Sequence, residues 1–445
     1  MILTTKKKII LLVVLLSYFV TAIDNSIVIT GLTKIAADLQ MDQMALSWMQ
    51  NMYVLSFGGF ILLGGRLSDA YGRKRVLNVS LVLFGIGSLI AGAAEAGWVI
   101  IAARLMQGIG ASMLAPTSMA LLVDYFEGAE RIKAISWYSS MSGLGSCFGL
   151  LLGGFLASFY TWRIGFYINV PIMLLMIVLS NKVFKSVPQV RSKFDFTGAC
   201  TSVAAIFCLV YAIDGAEQFW PWFIAAAVLL PVFIRLEGRV AVPVMPLSLF
   251  HHATRRNAYI IRLLLVGAMM GFWFFISEFM QHVFGFSPLL AGMAFLPLTI
   301  ATFIGAIKVP GLVSEYGNKR VLFAGICSQI TGFLLLLLLD KDSSYIFGIG
   351  VPTLLLGIGQ GFELAPLTNL GVTDVESSDA GAASGVVNAA HQIGGSIGLS
   401  LMVSCSAGAA DMSSMFHTAM LVGAVISAAM LVFWLRLPSD KPALK

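Results

Sequence analysis

The sequence predicts an all-α integral membrane protein with fourteen transmembrane helices. Three observations carry this prediction. The 445-residue chain is 58% hydrophobic and only 11% charged, whereas soluble domains are about 45–50% apolar and roughly a quarter charged. Its mean hydropathy is +0.90, and apolar stretches of about 20 residues, long enough to cross a bilayer core as a helix, recur from end to end. The positive charges lie almost entirely in the short segments between these stretches.

The predicted helices follow one another with short connections. They cover residues 9–31, 45–65, 76–94, 98–122, 134–158, 164–183, 196–213, 219–236, 258–282, 288–309, 321–339, 345–369, 381–405 and 415–436. Helix 7 is diluted by Thr197 and Thr201, and helix 8 contains Pro221 and Pro231, so a twelve-helix alternative remains open at this point. The five cysteines are dispersed in apolar stretches without metal-ligand spacing, which argues against a disulfide framework.

The distribution of Lys and Arg predicts that both termini are cytoplasmic. With fourteen helices and an inner N-terminus, only Lys34, Arg163 and Lys341 of the 28 Lys and Arg residues fall on the outer side, and only Arg104 and Arg262 fall within spans. All others lie in inner loops or at the ends, as the positive-inside rule requires. They are Lys6, Lys7, Lys8, Arg66, Arg73, Lys74, Arg75, Arg131, Lys133, Lys182, Lys185, Arg191, Lys193, Arg235, Arg239, Arg255, Arg256, Lys308, Lys319, Arg320, Arg436, Lys441 and Lys445. This charge also places the chain at a membrane and gives no reason to expect a nucleic-acid partner.

A charged loop pattern occurs twice. The inner loop between helices 2 and 3 reads GRLSDAYGRKR over residues 65–75, and the loop between helices 10 and 11 reads GLVSEYGNKRV over residues 311–321. Both keep the order of Gly, Ser, acid, Gly and basic residues. Recurrence at corresponding loops of two six-helix halves is typical of internally repeated transporters, whose site lies near the membrane midplane.

At these motifs the chain resembles the major facilitator superfamily, and more closely its 14-helix drug/proton antiporters. The first loop carries every defining position of the family signature: Gly65, Leu67, Asp69, Gly72, Arg73 and Lys74. Further similarity lies in RLMQGIGA at 104–111, IDNSIV at 23–28 and WRIGFYINVP at 162–171. The resemblance covers essentially the whole chain. It implies an N-terminal six-helix bundle (1–185), a linker with two additional helices (186–250) and a C-terminal six-helix bundle (251–445).

One signature departs from the family pattern. The spaced glycines of the helix 5 antiporter motif are present at Gly145, Gly149 and Gly153, but Leu150 stands where the family has proline and Ser136 where it has glycine. We therefore expect helix 5 to approach a neighbour closely without a proline kink. The departure weakens the implied antiport.

Two interpretations of the 65–75 loop are open. It is either a positive-inside anchor or a gate whose ion pairs close the inner side and break during transport, as the resemblance implies. Asp69 and Arg73 are spaced i, i+4 and could pair with each other or with neighbouring helix ends. Because the glycines and Asp69 are not needed for charge bias, we favour the gate, built from Gly65, Asp69, Gly72, Arg73 and Lys74.

Ionisable residues inside the spans are the candidate transport residues. A charge at a helix centre costs about 2.5–3.5 kcal/mol even on lenient scales, so such a residue indicates function, although a structural ion pair or a side chain that reaches the interface is the alternative. Asp24 and Arg104 lie at similar depth, roughly 10 Å below the outer helix ends, and could pair. In the resemblance, helices 1, 4, 9 and 12 line the central cavity, and Glu278 and Glu363 fall on the last two. Glu278 could lie close enough to the outer end to reach the interface.

Weaker candidates line the same expected cavity. They are Tyr53, Tyr138, Trp273, Gln281, Asn388 and His391, and aromatic side chains among them, with Phe274, could stack on an organic cation. For each aromatic, packing is the alternative interpretation, and a lone histidine is commonly structural.

The functional prediction is a proton-coupled antiporter that exports amphipathic, cationic drugs across the cell membrane by alternating access, acting as a monomer. Protons are its coupling ion, and no metal or cofactor is expected. A dedicated exporter of the same fold, for tetracycline, an amino acid or a lipid precursor, is the alternative. A membrane-embedded enzyme or receptor is disfavoured because the sequence has no P-loop, nucleophile elbow or metal-ligand spacing. Glu278 or Glu363 is expected to be the more exchangeable proton site, with Asp24 contributing charge for substrate recognition.

Overall fold

The computed structural model describes residues 4–184, 195–214, 219–240, 243, 245–375 and 379–438. Within these ranges, fourteen helices are long and apolar enough to cross a membrane. They are α1 (Thr5–Leu39), α2 (Gln43–Tyr71), α3 (Arg73–Gly92), α4 (Gly97–Tyr125), α5 (Lys133–Phe159), α6 (Arg163–Val183), α7 (Phe196–Ile213), α8 (Phe219–Glu237), α9 (Ala253–His282), α10 (Pro288–Tyr316), α11 (Asn318–Leu336), α12 (Ile346–Gly371), α13 (Gly381–Ser406) and α14 (Met412–Leu435). The predicted all-α membrane fold with fourteen spans is confirmed, and the chain is a multi-pass membrane protein. The orientation of its termini stays a prediction.

Local chemistry sets where these helices begin and end. Asp42, Ser287 and Asp411 each cap a helix by accepting a hydrogen bond from a backbone N–H three residues on. Single glycines separate two helix pairs, because Gly72 (φ +87°) ends α2 and Gly317 (φ +82°) ends α10. Only glycine adopts that backbone conformation readily. The repeated glycine of the two loops is therefore a turn residue.

The chain packs as two compact units, residues 1–203 with 240–244 and residues 204–239 with 245–445. In the first unit α1 packs on α5, α2 on α4, and α3 on α4 and α6. In the second, α9 packs on α13, α10 on α12, and α11 on α12 and α14. The same four pairings thus occur in each unit, which is the structural counterpart of the repeated loop.

Glycines make these pairings close, and they show which positions of the two units correspond. A Cβ added to Gly108 of α4 would lie 2.5 Å from the Tyr53 carbonyl of α2, and one added to Gly357 of α12 would lie 2.3 Å from the Leu298 carbonyl of α10. Two residues on, Gly110 meets α3 and Gly359 meets α11 in the same way. The sequence Gly-Ile-Gly therefore occupies equivalent places in α4 and α12.

The helix 5 glycines behave as expected. Added Cβ atoms at Gly145, Gly149 and Gly153 would all lie within 2.8 Å of α1 atoms. The helix that contains α5 runs without a break over Gly128–Phe159, which agrees with the absence of the family proline. The backbones of α1 and α5 are therefore in close contact from Gly145 to Gly153.

The additional helices differ from the rest. Only 11% of the apolar 18-residue stretch of α8 is buried. Trp220, Ile224 and Val228 are exposed. Such side chains suit contact with lipid hydrocarbon. The predicted division at 1–185, 186–250 and 251–445 stays a prediction. Its first boundary lies outside the described residues, as do five of the counted positive charges: Lys185, Arg191, Lys193, Lys441 and Lys445.

Candidate functional site

Asp24 of α1 and Arg104 of α4 form an ion pair inside the first unit. Asp24 Oδ2 lies 2.5 Å from Arg104 Nη1, and both side chains are fully buried. The sequence analysis placed the two residues at similar depth and expected that they could pair, and the ion pair is present. Two opposite charges at the same depth of neighbouring helices neutralise each other where neither could be solvated.

The pair belongs to a larger polar network. Gln107 Nε2 and Asn169 Nδ2 both donate to Asp24 Oδ1, at 2.9 and 2.7 Å, and both also donate to the hydroxyl of Ser88. Arg104 Nη1 donates to Gln107 Oε1 at 3.1 Å. Asp24 thus accepts from three side chains on α4 and α6. The sequence analysis assigned no role to Gln107, Asn169 or Ser88, although the first two lie in motifs that identified the family.

Tyr53 of α2 covers the Arg104 guanidinium. The ring centroid lies 4.0 Å from Arg104 Cζ, the distance of a cation–π contact, and Tyr53 is only 3% exposed. Arg104 Nε and Nη2 and the Tyr53 hydroxyl are buried and make no hydrogen bond with any described residue. Tyr53 therefore belongs to the candidate site, where its ring packs on the guanidinium of Arg104.

Tyr138 of α5 lies in a different environment. Its ring stacks on Tyr18 with centroids 4.7 Å apart, and its hydroxyl donates to the Ala115 carbonyl at 3.4 Å. The side chain is buried within the first unit. Its described contacts are those of a packing residue, and its expected role as cavity lining stays a prediction.

Glu363 of α12 is one of the buried acids of the second unit. It is fully buried, and neither carboxyl oxygen makes a hydrogen bond with any described residue. A Cβ added to Gly325 of α11 would lie 2.7 Å from Glu363 Cγ, so the missing side chain at Gly325 provides the space that Glu363 occupies. The acid is held by packing and not by donors.

Arg262 of α9 contacts the part of α12 that carries this acid. Its Nη1 donates to the carbonyl of Leu364, the residue after Glu363, at 2.9 Å. Arg262 is 8% exposed. The sequence analysis placed it within a span and gave it no role. Because α9 begins at Ala253, five residues before the predicted start, Arg262 is deeper in its helix than expected.

The other second-unit candidates are dispersed. Glu278 is 3% exposed, so the alternative that it reaches the interface is wrong. Trp273 stacks on Phe295 with centroids 4.7 Å apart, and Gln281 bonds back to Ser277 on its own helix. Further along the chain, Asn388 is exposed and bonds to the Ser384 carbonyl, whereas His391 is half-buried with its Nδ1 unbonded among the described residues. Phe274 is buried against Phe275.

The 65–75 segment, predicted as a loop, is the end of α2, a turn at Gly72 alone and the start of α3. It is tied to the end of α4. Arg73 Nη1 donates to the Ala120 carbonyl at 2.7 Å and contacts the Asp124 carboxylate, while Arg73 Nη2 lies 3.8 Å from Asp69 Oδ1. Lys74 donates to the Asn181 carbonyl near the end of α6. Both of the pairings expected for Arg73, within its loop and with a neighbouring helix end, are therefore present, and the cation lies where the α4 dipole is negative.

The second loop makes similar connections with a neutral residue in place of Arg73. Asn318 occupies that place after the turn glycine, and its Oδ1 accepts from Asn369 Nδ2 near the end of α12 at 3.1 Å. Lys319 follows it, as Lys74 follows Arg73, and donates to the Leu437 carbonyl beyond the end of α14. A neutral amide pair thus stands where Arg73 contacts the end of α4 in the first unit.

No group of three or more His, Cys, Asp or Glu residues that could hold a metal ion occurs in the part of the chain that the structure describes. The expectation of no metal or cofactor, with protons as the coupling ion, stays a prediction.

Comparison with known proteins agrees with the fold. A family model described as Major Facilitator Superfamily matches residues 14–399. The chain is 32% identical to puromycin resistance protein pur8 of Streptomyces alboniger over 89% of its own length and 81% of the relative, and 33% identical to cephamycin export protein CmcT of Amycolatopsis lactamdurans over 87% and 82%. The crystal structure of a D-xylose-proton symporter matches with a TM-score of 0.72 at 14% identity, covering 99% of this chain and all of that one, which shows the shared fold.

Proposed function

The chain belongs to the major facilitator superfamily, and we propose that it is a proton-coupled antiporter that exports amphipathic cationic compounds by alternating access. Its relatives of similar length are named for antibiotic resistance or export, which supports a small-molecule exporter. The family comprises transporters and not enzymes, and the chain is a multi-pass protein of the cell membrane. Protons as the coupling ion, cationic substrates and monomeric action are the parts of this proposal that experiment has to establish.

The observation that carries the proposal is the buried carboxyl group of Glu363. A carboxylate without hydrogen-bond donors in an apolar site is costly, whereas a protonated carboxyl is neutral. A group in this setting exchanges a proton when its surroundings change between the two faces of the membrane. Each proton that returns inward at 100 mV gains about 2.3 kcal/mol, and a monovalent cation that leaves costs the same amount. Net export therefore uses the pH gradient or more than one proton per cation.

Asp24 takes a different part in this scheme. It accepts three hydrogen bonds, one of which comes from its ion-pair partner Arg104. We assign to it the fixed negative charge that balances Arg104. The Arg73 contacts hold the 65–75 loop against the end of α4, and we assign to this loop the gate on the inner side.

Proton release on ligand binding tests the proposal. Purified protein in weakly buffered detergent solution would receive tetraphenylphosphonium while a pH indicator is followed. We expect release from the wild type and none from Glu363→Gln. Glu95→Gln, which alters an exposed acid in the loop after α3, is the matched control and has to release protons normally. Absence of release from the wild type would refute proton coupling.

A dedicated exporter is the second candidate, because several relatives are named for single compounds: puromycin, cephamycin and lincomycin. Others are named as multidrug resistance proteins. A susceptibility panel in an efflux-deficient bacterial host separates the two. Protection against several structurally unrelated cations supports the broad exporter, and protection against one of the named antibiotics alone supports the dedicated one.

A further inference from the structure

Arg104 uses only one of its three nitrogens. The guanidinium of arginine has five N–H donors. In Arg104 both described hydrogen bonds, to Asp24 and to Gln107, come from Nη1. Nε and Nη2 carry the other three N–H groups, and both atoms are buried and unbonded among the described residues.

These two atoms form a single edge. Nε–H and the adjacent Nη2–H point in the same direction and together make the side-on fork with which arginine binds planar oxygen groups. Asp24 does not need this edge, since its second oxygen is satisfied by Gln107 and Asn169. The network therefore orients the guanidinium and leaves its fork open.

Other buried polar atoms lie on the same side of α2. Tyr53 covers the guanidinium, and its hydroxyl is unbonded. Gln50, three residues earlier and therefore on the same helix face, has a buried Oε1 that is also unbonded among the described residues. Buried polar groups cost free energy unless they are paired, so a cluster of unused donors and acceptors indicates a place that a polar molecule fills.

We infer that the Nε–Nη2 edge of Arg104 binds an oxygen acceptor, a carbonyl or carboxylate, of the exported compound. The Tyr53 ring is held over the cation by packing and by the cation–π contact, and its hydroxyl has no described partner, so no hydrogen bond of that hydroxyl has to break when the ring turns aside to admit the ligand. The Asp24–Arg104 pair is neutral as a whole, so a neutral carbonyl adds no uncompensated charge. The inference rests on the proposed function only in taking an exported cation as the ligand that carries this group.

Two probes of equal charge and length test the inference. Benzoylcholine carries an ester between its phenyl ring and its trimethylammonium group, and (4-phenylbutyl)trimethylammonium has methylenes in place of the ester C=O and O. Binding to the purified full-length protein is measured by calorimetry. We expect the wild type to prefer benzoylcholine roughly ten- to hundredfold, the worth of a hydrogen bond to a charged group.

Arg104→Lys keeps a cation for Asp24 and removes the fork. It has to lose the preference between the probes, because its affinity for benzoylcholine falls more than its affinity for (4-phenylbutyl)trimethylammonium. The double variant Arg104→Gln with Asp24→Asn removes the fork without leaving a lone buried charge, so it serves if the lysine variant does not fold, and it too has to lose the preference.

Equal binding of the two probes by the wild type would overturn the inference. It would indicate that water, and not the ligand, accepts the hydrogen bonds of Arg104 Nε and Nη2. A preference that survives in the folded variants would overturn it as well. Neither result touches proton release, so failure of this inference and failure of the proposed antiport are distinguishable.

Discussion

Two of the buried acids among the described residues, Asp24 and Glu363, are held in opposite ways. Asp24 in the first unit meets a guanidinium and two side-chain amides, whereas both oxygens of Glu363 in the second unit are unbonded among the described residues. The two acids lie on helices that do not correspond in the two units, α1 and α12, so this difference is not one between equivalent positions. It comes from the side chains: Arg104, Gln107 and Asn169 surround one acid, and the bare backbone of Gly325 faces the other. A saturated acid suits a fixed charge, and an unsaturated one suits a group that changes its protonation state.

The two inner loops differ in the same sense. Arg73 meets the carboxylates of Asp69 and Asp124, and Asn318 at the corresponding place meets only the amide of Asn369. Charged contacts are strong but depend on every member being present. The comparison therefore predicts that substitutions in the first unit disturb the protein more than equivalent ones in the second.

Asp24→Asn is expected to have the largest effect. It leaves Arg104 buried without a counter-charge, and removing one partner of a buried pair costs about 3–5 kcal/mol. Export of cationic compounds should be abolished and the melting temperature lowered, as read by drug susceptibility and by thermal unfolding in detergent. The charge-free double variant with Arg104→Gln should regain stability but not export. Normal efflux by the single variant would contradict the role of Asp24.

Glu363→Gln should remove transport while leaving the fold almost unchanged. The amide has the shape of a protonated carboxyl and carries no charge, so we expect a stability change of about 1 kcal/mol or less, the cost of altering a group without strong partners. Proteoliposomes with an imposed proton gradient would measure the transport. Gradient-driven uptake at the wild-type rate would show that Glu363 carries no proton.

Arg73→Ala should slow transport without weakening ligand binding. The arginine is 29% exposed in its side chain, and its contacts lie far along α4 from Arg104, so the transport site keeps its geometry. Parallel measurement of the dissociation constant and of the export rate separates the two effects. Equal loss of both would indicate misfolding of the first unit and not a lost gate.

Asn318→Ala is expected to have the smallest effect. Its amide pair with Asn369 is exposed, and a neutral exposed hydrogen bond contributes about 1 kcal/mol or less. Export rates within about twofold of the wild type are expected in the same assay. A defect as severe as that of Arg73→Ala would show that the two loops share the gating role equally.

Much of the fold could be predicted from the sequence, because apolar length and loop charge directly reflect the bilayer. The Asp24–Arg104 pair also followed from the positions of two charges along their helices. Gln107, Asn169 and Ser88 could not be found in this way, since neutral polar residues are common in helix contacts and only their convergence on Asp24 distinguishes them. Arg262 was missed for another reason: α9 begins at Ala253, and the polar residues 254–257 led the sequence analysis to place its start at residue 258. The absence of described hydrogen-bond donors at Glu363 depends on the side chains of the neighbouring helices, which the sequence of α12 alone does not reveal.

Infrared difference spectroscopy of the protonated carboxyl band tests the central claim most directly. Spectra of the purified protein are recorded before and after addition of tetraphenylphosphonium, for the wild type, Glu363→Gln and the double variant Asp24→Asn with Arg104→Gln. The account predicts that the ligand removes a protonated carboxyl signal in the wild type and in the double variant and that Glu363→Gln lacks this change. A ligand-sensitive signal that persists in Glu363→Gln and disappears when Asp24 is replaced would contradict the division between the two acids.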